Sequence, residues 1–399
     1  MKLCCAAQLE AVRPRLQVPL ISVGCEGWTS NEGSFELQEE TNMTRRQPSL
    51  ERSYDGFMAD RALDLINEHY GEGIDIYSLW AELPDVLNAW WRGFENVPNH
   101  PAQLHYAWLN NEDGTPNGLG LNDGIRLATT TAIEQLELNY SKPIALLDVG
   151  CGVGGTALQV DLCLQRQKVR DYEIHGISIV ADQVKLASRR CRKLGATKSE
   201  FLIGDCLHLP YESSYFDGIV AIETFCHIPP EDKLNLLQGC VRVLAQGGRL
   251  VILDGYVTRE PRTADEEYWH RVFRNGWTLP ELITAEEMSN LAIESGFDVE
   301  NSFEGSSQVG PSVKLIYRRG KYIFMPLLRI YRLLKRLGHD SRLLQRTGVH
   351  TPNAEAFLQA GSAQKELAER DMMAYHVHVL RRPMYAAWPL SSQPLGRKL

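Results

Sequence analysis

The most constraining feature of the sequence is an apolar run that ends in a glycine-rich turn and continues into a helical pattern. The run covers residues 144–149 and is apolar except for Asp148, and the turn carries Gly150, Gly152, Gly154 and Gly155. Glycine permits positive φ angles and a close approach of the backbone to a ligand, which a Cβ would prevent. In open α/β sheets, ligands bind where such turns follow the carboxyl ends of the strands. The segment therefore predicts a ligand site at this turn.

The middle of the chain repeats this alternation of short apolar runs and helical stretches. Strands are predicted at 144–149, 172–178, 199–203, 216–222 and 249–254, and helices at 156–167, 181–194 and 231–244. Later runs near 296–303 and 374–381, separated by a long insertion, indicate two further strands of which one is an antiparallel edge strand. The fold class predicted is α/β, a Rossmann-like, doubly wound, mostly parallel seven-stranded sheet.

Composition divides the rest of the chain. Residues 1–50 are predicted to be a poorly ordered extension, 51–140 a helical cap, 141–260 the ligand-binding core and 261–399 a C-terminal cap that carries the last strands. A net charge of −8 gives no electrostatic reason to expect a nucleic-acid partner. The nine cysteines form no CxxC pair, and neither a signal peptide nor a membrane span is evident. These features predict a cytoplasmic protein with reduced thiols.

The glycine turn alone does not identify its ligand, because it fits both GxGxxG and GxGxG. The first pattern is typical of a dinucleotide oxidoreductase, which needs an acidic residue at the end of the second strand. Here that position is Ser178. Asp148, two residues before the first glycine, can accept a hydrogen bond from an amino group, whereas a pyrophosphate would gain nothing from it. Asp205 after the third strand can accept a hydrogen bond from the amino group of an adenine. These neighbours favour a ligand other than a dinucleotide.

The order of these motifs resembles the S-adenosylmethionine methyltransferase superfamily over residues 141–256. Residues 176–178 with Gln183 resemble its small-molecule subgroup, and residues 221–229 resemble the fourth-strand motif of sterol, prenyl-diphosphate and tocopherol C-methyltransferases. The resemblance implies S-adenosyl-L-methionine as cofactor and no metal. The residues implied to bind the cofactor are Asp148, Gly150, Gly152, Gly154, Ser178, Gln183, Asp205 and Cys206.

The same resemblance implies C-methylation of a lipophilic isoprenoid in specialised metabolism, a prenyl diphosphate, a terpenoid or a sterol-like molecule. Methylation of an alkene leaves a carbocation, and a base must then remove a proton. Glu223 has that role by resemblance, with His227 as the alternative base. A carboxylate that caps the next helix or pairs with an arginine is the structural interpretation of Glu223. The aromatic candidates for the substrate pocket are Tyr106, Trp108, Phe225, Trp269 and Trp277.

Three alternatives stay open: an O- or N-methyltransferase of a natural product, a dinucleotide oxidoreductase, and a scaffold without catalysis. A separate feature is the basic amphipathic pattern of residues 321–337, in which Leu327, Ile330, Tyr331, Leu334 and Leu337 recur at helical spacing among arginines and lysines. Such a helix can lie on an anionic membrane surface. A cap helix over the substrate pocket with a solvated basic face is the other interpretation.

Overall fold

The computed structural model describes residue 103, residues 105–339 and residues 353–384, all of which lie in the compact unit Met58–Leu399. The predicted extension 1–50 and residues 51–102 of the predicted cap lie outside the described residues. The predicted boundaries of the cap and core domains therefore stay predictions.

The described residues form one seven-stranded sheet in the order β3-β2-β1-β4-β5-β7-β6. The strands are β1 (Ile144–Val149), β2 (Tyr172–Ser178), β3 (Ser199–Ile203), β4 (Phe216–Ile222), β5 (Leu244–Val257), β6 (Asp298–Glu304) and β7 (Met373–Arg381). Every residue of β1 is buried, as expected for a central parallel strand covered on both faces. Pairings β1–β2, β1–β4, β2–β3 and β4–β5 are parallel.

The helices cover the two faces of this sheet. They are α1 (Leu121–Gln135), α2 (Gly155–Arg166), α3 (Ala181–Lys193), α4 (Pro230–Val243), α5 (Ala264–Trp277), α6 (Ala285–Ser295), α7 (Ser306–Arg319), α8 (Met325–Arg336) and α9 (Ala354–Glu369). A π-helical turn, Gly320–Phe324, joins α7 to α8. Single 3₁₀ turns follow β3 at Cys206–His208 and β4 at Phe225–His227.

The predicted fold class is confirmed, and two details of the prediction differ from the structure. The antiparallel strand is β7, but it lies between β5 and β6, so the outermost strand is β6 and runs parallel to the first five. β5 starts at Leu244 rather than near residue 249, because the strand also includes Gly247 and Gly248. The insertion of β7 matters for function, since it brings the carboxyl end of β5 beside the first residues of β7.

The basic segment 321–337 is not one regular helix over the pocket. Its first residues belong to the π-helical turn, and α8 begins at Met325 with Pro326 in its first turn. The side chains that α8 buries are Leu328 and Tyr331, whereas Ile330 and Leu337 of the predicted apolar face are exposed. No residue of α8 lines the cavity described below, so the interpretation of this segment as the pocket cap is wrong.

Candidate active site at the carboxyl ends of the strands

A cavity of about 860 Å³ lies at the carboxyl ends of β1, β2, β4 and β5. The strand order reverses between β1 and β4, and ligands of open α/β sheets bind at such a switch point. Residues after β1, β2 and β3 form one side of the cavity. The other side is formed by residues from α5, α7, α9 and the start of β7. Glu223 follows β4, which lies between β1 and β5 in the strand order.

The glycine-rich turn needs its glycines for conformation and for packing. Gly150, Gly152 and Gly154 have φ angles of +74°, +50° and +75°, which side chains rarely adopt. A Cβ on Gly150 would lie 2.2 Å from Oγ1 of Thr224, and one on Gly154 would lie 2.8 Å from Ala187 and from the ring of Phe201. Gly150 and Gly152 line the cavity, whereas Gly154 does not and instead lets α2 pack closely.

Thr224 ties the glycine turn to the loop after β4. Its hydroxyl donates a hydrogen bond of 2.9 Å to the carbonyl of Val149, the last residue of β1. The same side chain occupies the space beside Gly150 that a larger residue would need. The two loops that face the cavity are therefore held in one fixed relation.

Asp148 is the clearest sign that the glycine side of the cavity is built for a ligand. The residue is 4% exposed, and its Oδ2 has no hydrogen-bond partner in the described structure. Burial raises the pKa of this carboxyl to about 7. A buried carboxylate oxygen without a partner is costly, so an amino group or another donor of a ligand would satisfy it.

The other predicted cofactor residues lie on the same side of the cavity. Ser178 Oγ accepts the backbone N–H of Val180 at 3.3 Å, and Asp205 Oδ1 accepts that of Leu207 at 2.9 Å. Gln183 and Cys206 also line the cavity. Burial raises the pKa of the Cys206 thiol to about 12, so the thiol is neutral at physiological pH. Asp148, Ser178 and Asp205 thus present oxygen atoms around one crevice, which suits the amino and hydroxyl groups of an adenosine ligand.

Glu223 adopts a left-handed conformation at the end of β4, with φ +49°. Its Oε1 accepts hydrogen bonds from the backbone N–H of Tyr106 at 2.8 Å and from the hydroxyl of Tyr375 at 3.1 Å. It neither caps α4 nor forms an ion pair with an arginine among the described residues. Burial raises the pKa of this carboxyl to about 8, because the two hydrogen bonds only partly offset the loss of solvation. A strained backbone at a cavity is typical of functional positions.

The loop that carries Glu223 and His227 is held in place by hydrogen bonds with two buried ionisable residues. Lys233, only 1% exposed, donates from Nζ to the carbonyls of Phe225 and Ile228. Asp254 at the end of β5 accepts the backbone N–H of Cys226 at 3.0 Å. His227 lines the cavity, but no described contact joins its ring to Glu223.

Two of the five predicted pocket aromatics, Tyr106 and Trp277, line the cavity. The other three do not, since their rings pack into hydrophobic clusters. Phe225 is 1% exposed within a buried cluster, Trp108 packs with the core around β1, and Trp269 packs against the neighbouring Tyr268. The apolar side of the cavity is instead formed by Phe273, Trp277, Leu279, Leu282, Val309 and Val313.

The sequence also did not predict several polar residues of the cavity, among them Tyr375, Gln364, His105 and Gln103. Tyr375 donates to Glu223, and the hydroxyl of Tyr106 donates to Gln364 of α9. His105 and Gln103 also line the cavity, and both contact Thr129. Burial lowers the pKa of His105 to about 4, so its ring is neutral.

Comparisons with known proteins agree with this architecture. Residues 147–252 match the family model described as a methyltransferase domain. The chain is 32% identical over 177 residues to an O-methyltransferase of Penicillium expansum, covering 44% of this chain and 59% of that protein. It is 34% identical over 247 residues to a 24-methylenesterol C-methyltransferase of Oryza sativa subsp. japonica, covering 60% of this chain and 58% of that protein. The chain thus spans about three fifths of the length of these relatives.

Among solved structures, a cyclopropane synthase from Mycobacterium tuberculosis superposes with a TM-score of 0.60 at 14% identity, covering 80% of this chain and 98% of that one. This likeness shows the fold. The sheet order and the crevice define a Rossmann-like ligand-binding protein. The matched segment contains the glycine turn, so the predicted resemblance to S-adenosylmethionine-dependent methyltransferases is confirmed for this part of the chain.

Proposed function

We propose that the protein transfers a methyl group from S-adenosyl-L-methionine to a carbon atom of a lipophilic, isoprenoid-like small molecule in specialised metabolism. The observation that carries the proposal is the position of the Glu223 carboxylate. It follows β4, and in the strand order β4 lies between β1, on the oxygen-rich side, and β5 and β7, on the side of the apolar residues from α5, α7 and α9. A C-methylation needs a base at that boundary, where the acceptor would meet the methyl donor.

The glycine side of the cavity fits the cofactor. Asp148 Oδ2 lacks a partner and would accept an amino group, while Ser178 and Asp205 offer oxygen atoms to hydroxyl and adenine groups. Gly150 and Gly152 leave the backbone open to close approach. Gln183 and Cys206 complete this side, and Gly154 supports it through packing. When bound, S-adenosylmethionine supplies a methyl group activated by a sulfonium.

The chain's own residues have three tasks in such a reaction. The fixed loops at Gly150 and Thr224 align the reactants, which is worth about 7–11 kcal/mol of barrier in favourable cases. The apolar side chains exclude water, and the ring of Trp277 stabilises a nearby cation by roughly 0.5–2 kcal/mol. Glu223 Oε1, oriented by Tyr106 and Tyr375, then accepts the proton that the acceptor loses. His227 is the second candidate for that proton.

The chemical structure of the product distinguishes methyl transfer to carbon from methyl transfer to oxygen or nitrogen. The protein is incubated with S-adenosylmethionine carrying a labelled methyl group and with a panel of isoprenoid alcohols, sterols and phenols. We expect labelled product with a new carbon–methyl bond, identified by mass spectrometry and NMR. Label found only on oxygen or nitrogen would reject C-methylation while keeping the methyltransferase class.

O-methylation is the second candidate, and the same carboxylate supports it. A carboxyl whose pKa lies near 8 can remove a proton from a phenol, which a carboxylate of ordinary pKa does less well. The similarity to an O-methyltransferase of Penicillium expansum is consistent with this alternative.

We also propose a peripheral contact with anionic membranes through residues 321–337. This segment exposes Tyr322, Ile323, Ile330, Leu333 and Leu337 by 65%, 44%, 49%, 56% and 65%. Exposed cations, Arg329 and Arg336 among them, lie between these apolar side chains. Apolar side chains mixed with cations suit the boundary between acyl chains and anionic headgroups. No helix in the described ranges is both long and apolar enough to cross a bilayer.

Replacing Leu333 and Leu337 by Gln should reduce sedimentation with liposomes that contain phosphatidylserine, because it removes apolar area from the contact. The matched control is Ile293→Gln, which removes a similarly exposed side chain (60%) from α6. Wild-type protein that stays in the supernatant at low salt, or an equal loss in the control, would contradict the membrane contact.

A further inference from the structure

The ionisable side chains of the cavity lining are mostly acidic. Six carboxylates line it, and no lysine or arginine does among the residues that the structure describes. The carboxylates are Asp148, Asp205, Glu223, Glu231, Asp232 and Asp254. The buried cation nearest in sequence, Lys233, is engaged with the carbonyls of Phe225 and Ile228 and does not line the cavity.

Two buried oxygen atoms of the lining have the same character. Asp148 Oδ2 and Gln103 Oε1 are buried without a hydrogen-bond partner, and both are acceptors. Asp148 and Gln103 are each 4% exposed. Both atoms call for a ligand that donates hydrogen bonds or carries positive charge.

Three histidines line the cavity, His105, His208 and His227, and the first two do not offset the acidic groups. Burial lowers the pKa of His105 to about 4, so its ring stays uncharged. His208 lies 3.4 Å from Asp205 Oδ2 and is committed to that carboxylate when protonated.

The N-terminus of α4 offers no substitute cation. α4 begins at the cavity, but its first turn carries Glu231 and Asp232, which offset the positive end of the helix dipole. A diphosphate carries two or more negative charges, and proteins hold such groups with arginine, lysine, a metal or free backbone N–H groups. An anion on the apolar side of this cavity would lie near Glu223 and Asp254, whose ionised forms have no compensating lysine or arginine among the described lining residues.

We infer that the acceptor site selects against anions, so that the acceptor is an uncharged or cationic lipophile and not a prenyl diphosphate or a fatty acid. This inference rests on the proposed function and narrows its substrate class. The apolar walls select the hydrocarbon part, and the carboxylates exclude the phosphorylated form of the same skeleton. By the same argument, a positive charge that develops on an acceptor is stabilised in the cavity.

The test uses three ligands with one carbon skeleton: farnesol, farnesylamine and farnesyl diphosphate. Their binding to the full chain with saturating S-adenosylhomocysteine is followed by tryptophan fluorescence, with calorimetry as a second readout. We expect farnesyl diphosphate to bind at least about tenfold more weakly than farnesol and farnesylamine, because like charges without a compensating cation repel strongly. Repeating the series with Mg²⁺ tests whether the carboxylates bind the diphosphate through a metal.

Farnesyl diphosphate binding as tightly as farnesol, with or without Mg²⁺, would overturn the inference, and so would the absence of binding by all three ligands. The double variant Glu231→Gln/Asp232→Asn removes two of the six acidic groups of the lining. It should narrow the ratio of the dissociation constants of farnesyl diphosphate and farnesol. An unchanged ratio would assign the selection to shape and overturn the argument from charge. The readout needs no turnover, so missing methylated product alongside this ranking would reject the proposed function and leave the charge selection standing.

Discussion

Replacing Glu223 by Gln should lower the turnover of methyl transfer by about 10²–10⁴-fold, the usual contribution of a general base. Glutamine keeps the oxygen that accepts the N–H of Tyr106 and the hydroxyl of Tyr375, so the loop should keep its shape. Affinity for S-adenosylmethionine, measured by calorimetry, should change little. A variant that turns over within about threefold of the wild type would contradict the base role.

The pH profile gives an independent check on the same carboxylate. The base is the ionised form, and burial raises its pKa to about 8, so kcat/KM of the wild type should rise with pH and level off above about pH 8. Tyr375→Phe removes one donor that stabilises the ionised form. The rising limb should therefore move to higher pH in that variant, with the cofactor affinity unchanged. An unchanged pH profile in this variant would show that Tyr375 does not lower the pKa of Glu223.

Replacing Asp148 by Asn should weaken the binding of S-adenosylmethionine by about 10- to 150-fold, which corresponds to the loss of one hydrogen bond to a charged group. The free energy of unfolding should stay equal or rise, because the variant no longer buries a carboxyl whose ionised form is poorly solvated. Thermal unfolding without ligand therefore separates the binding effect from damage to the fold. Unchanged affinity in a folded variant would remove Asp148 from the cofactor site.

The wild type should also show a pH dependence that the Asn variant lacks. The Asp148 carboxyl of the free protein has a raised pKa of about 7, and a cationic or amino donor binds its ionised form. Binding then releases a proton, so affinity should increase as pH rises towards 7 and be constant above it. In Asp148→Asn the affinity should be flat across this range.

The parallel core was predictable because its signals are local. The strands β1 to β4 have the predicted bounds, since each is an apolar run closed by a turn, and the run in β1 ends at Asp148 and the glycines. α6 begins with a capping box between Thr284 and Glu287, which a four-residue pattern in the sequence encodes. Cofactor-side residues follow directly from these turns, which explains why most of them line the cavity.

The acceptor side was less predictable because distant segments form it. Tyr375 meets Glu223 only because β7 inserts beside β5, and no local pattern marks that pairing. Hydrophobic aromatics are ambiguous in sequence for a related reason. Trp277 lines the cavity, whereas Trp269, two turns earlier on the same helix, packs against neighbours on α5. Both tryptophans are large apolar side chains suited to burial, so only the three-dimensional structure shows which of them lines the cavity.

The insertion of β7 also sets the order in which the two sides of the cavity can form during synthesis. The N-terminal part of a chain leaves the ribosome first. Strands β1 to β5 are therefore available to pair, and the crevice around Asp148 can form, while β7 is still being translated. Tyr375 lies 152 residues after Glu223, and Gln364 lies 258 residues after Tyr106. Until β7 emerges, β5 is an open edge and Glu223 lacks one of its two donors. The nascent chain can thus form the crevice around Asp148 before the side of the cavity to which β7 contributes, and Tyr375 reaches Glu223 only once β7 is present.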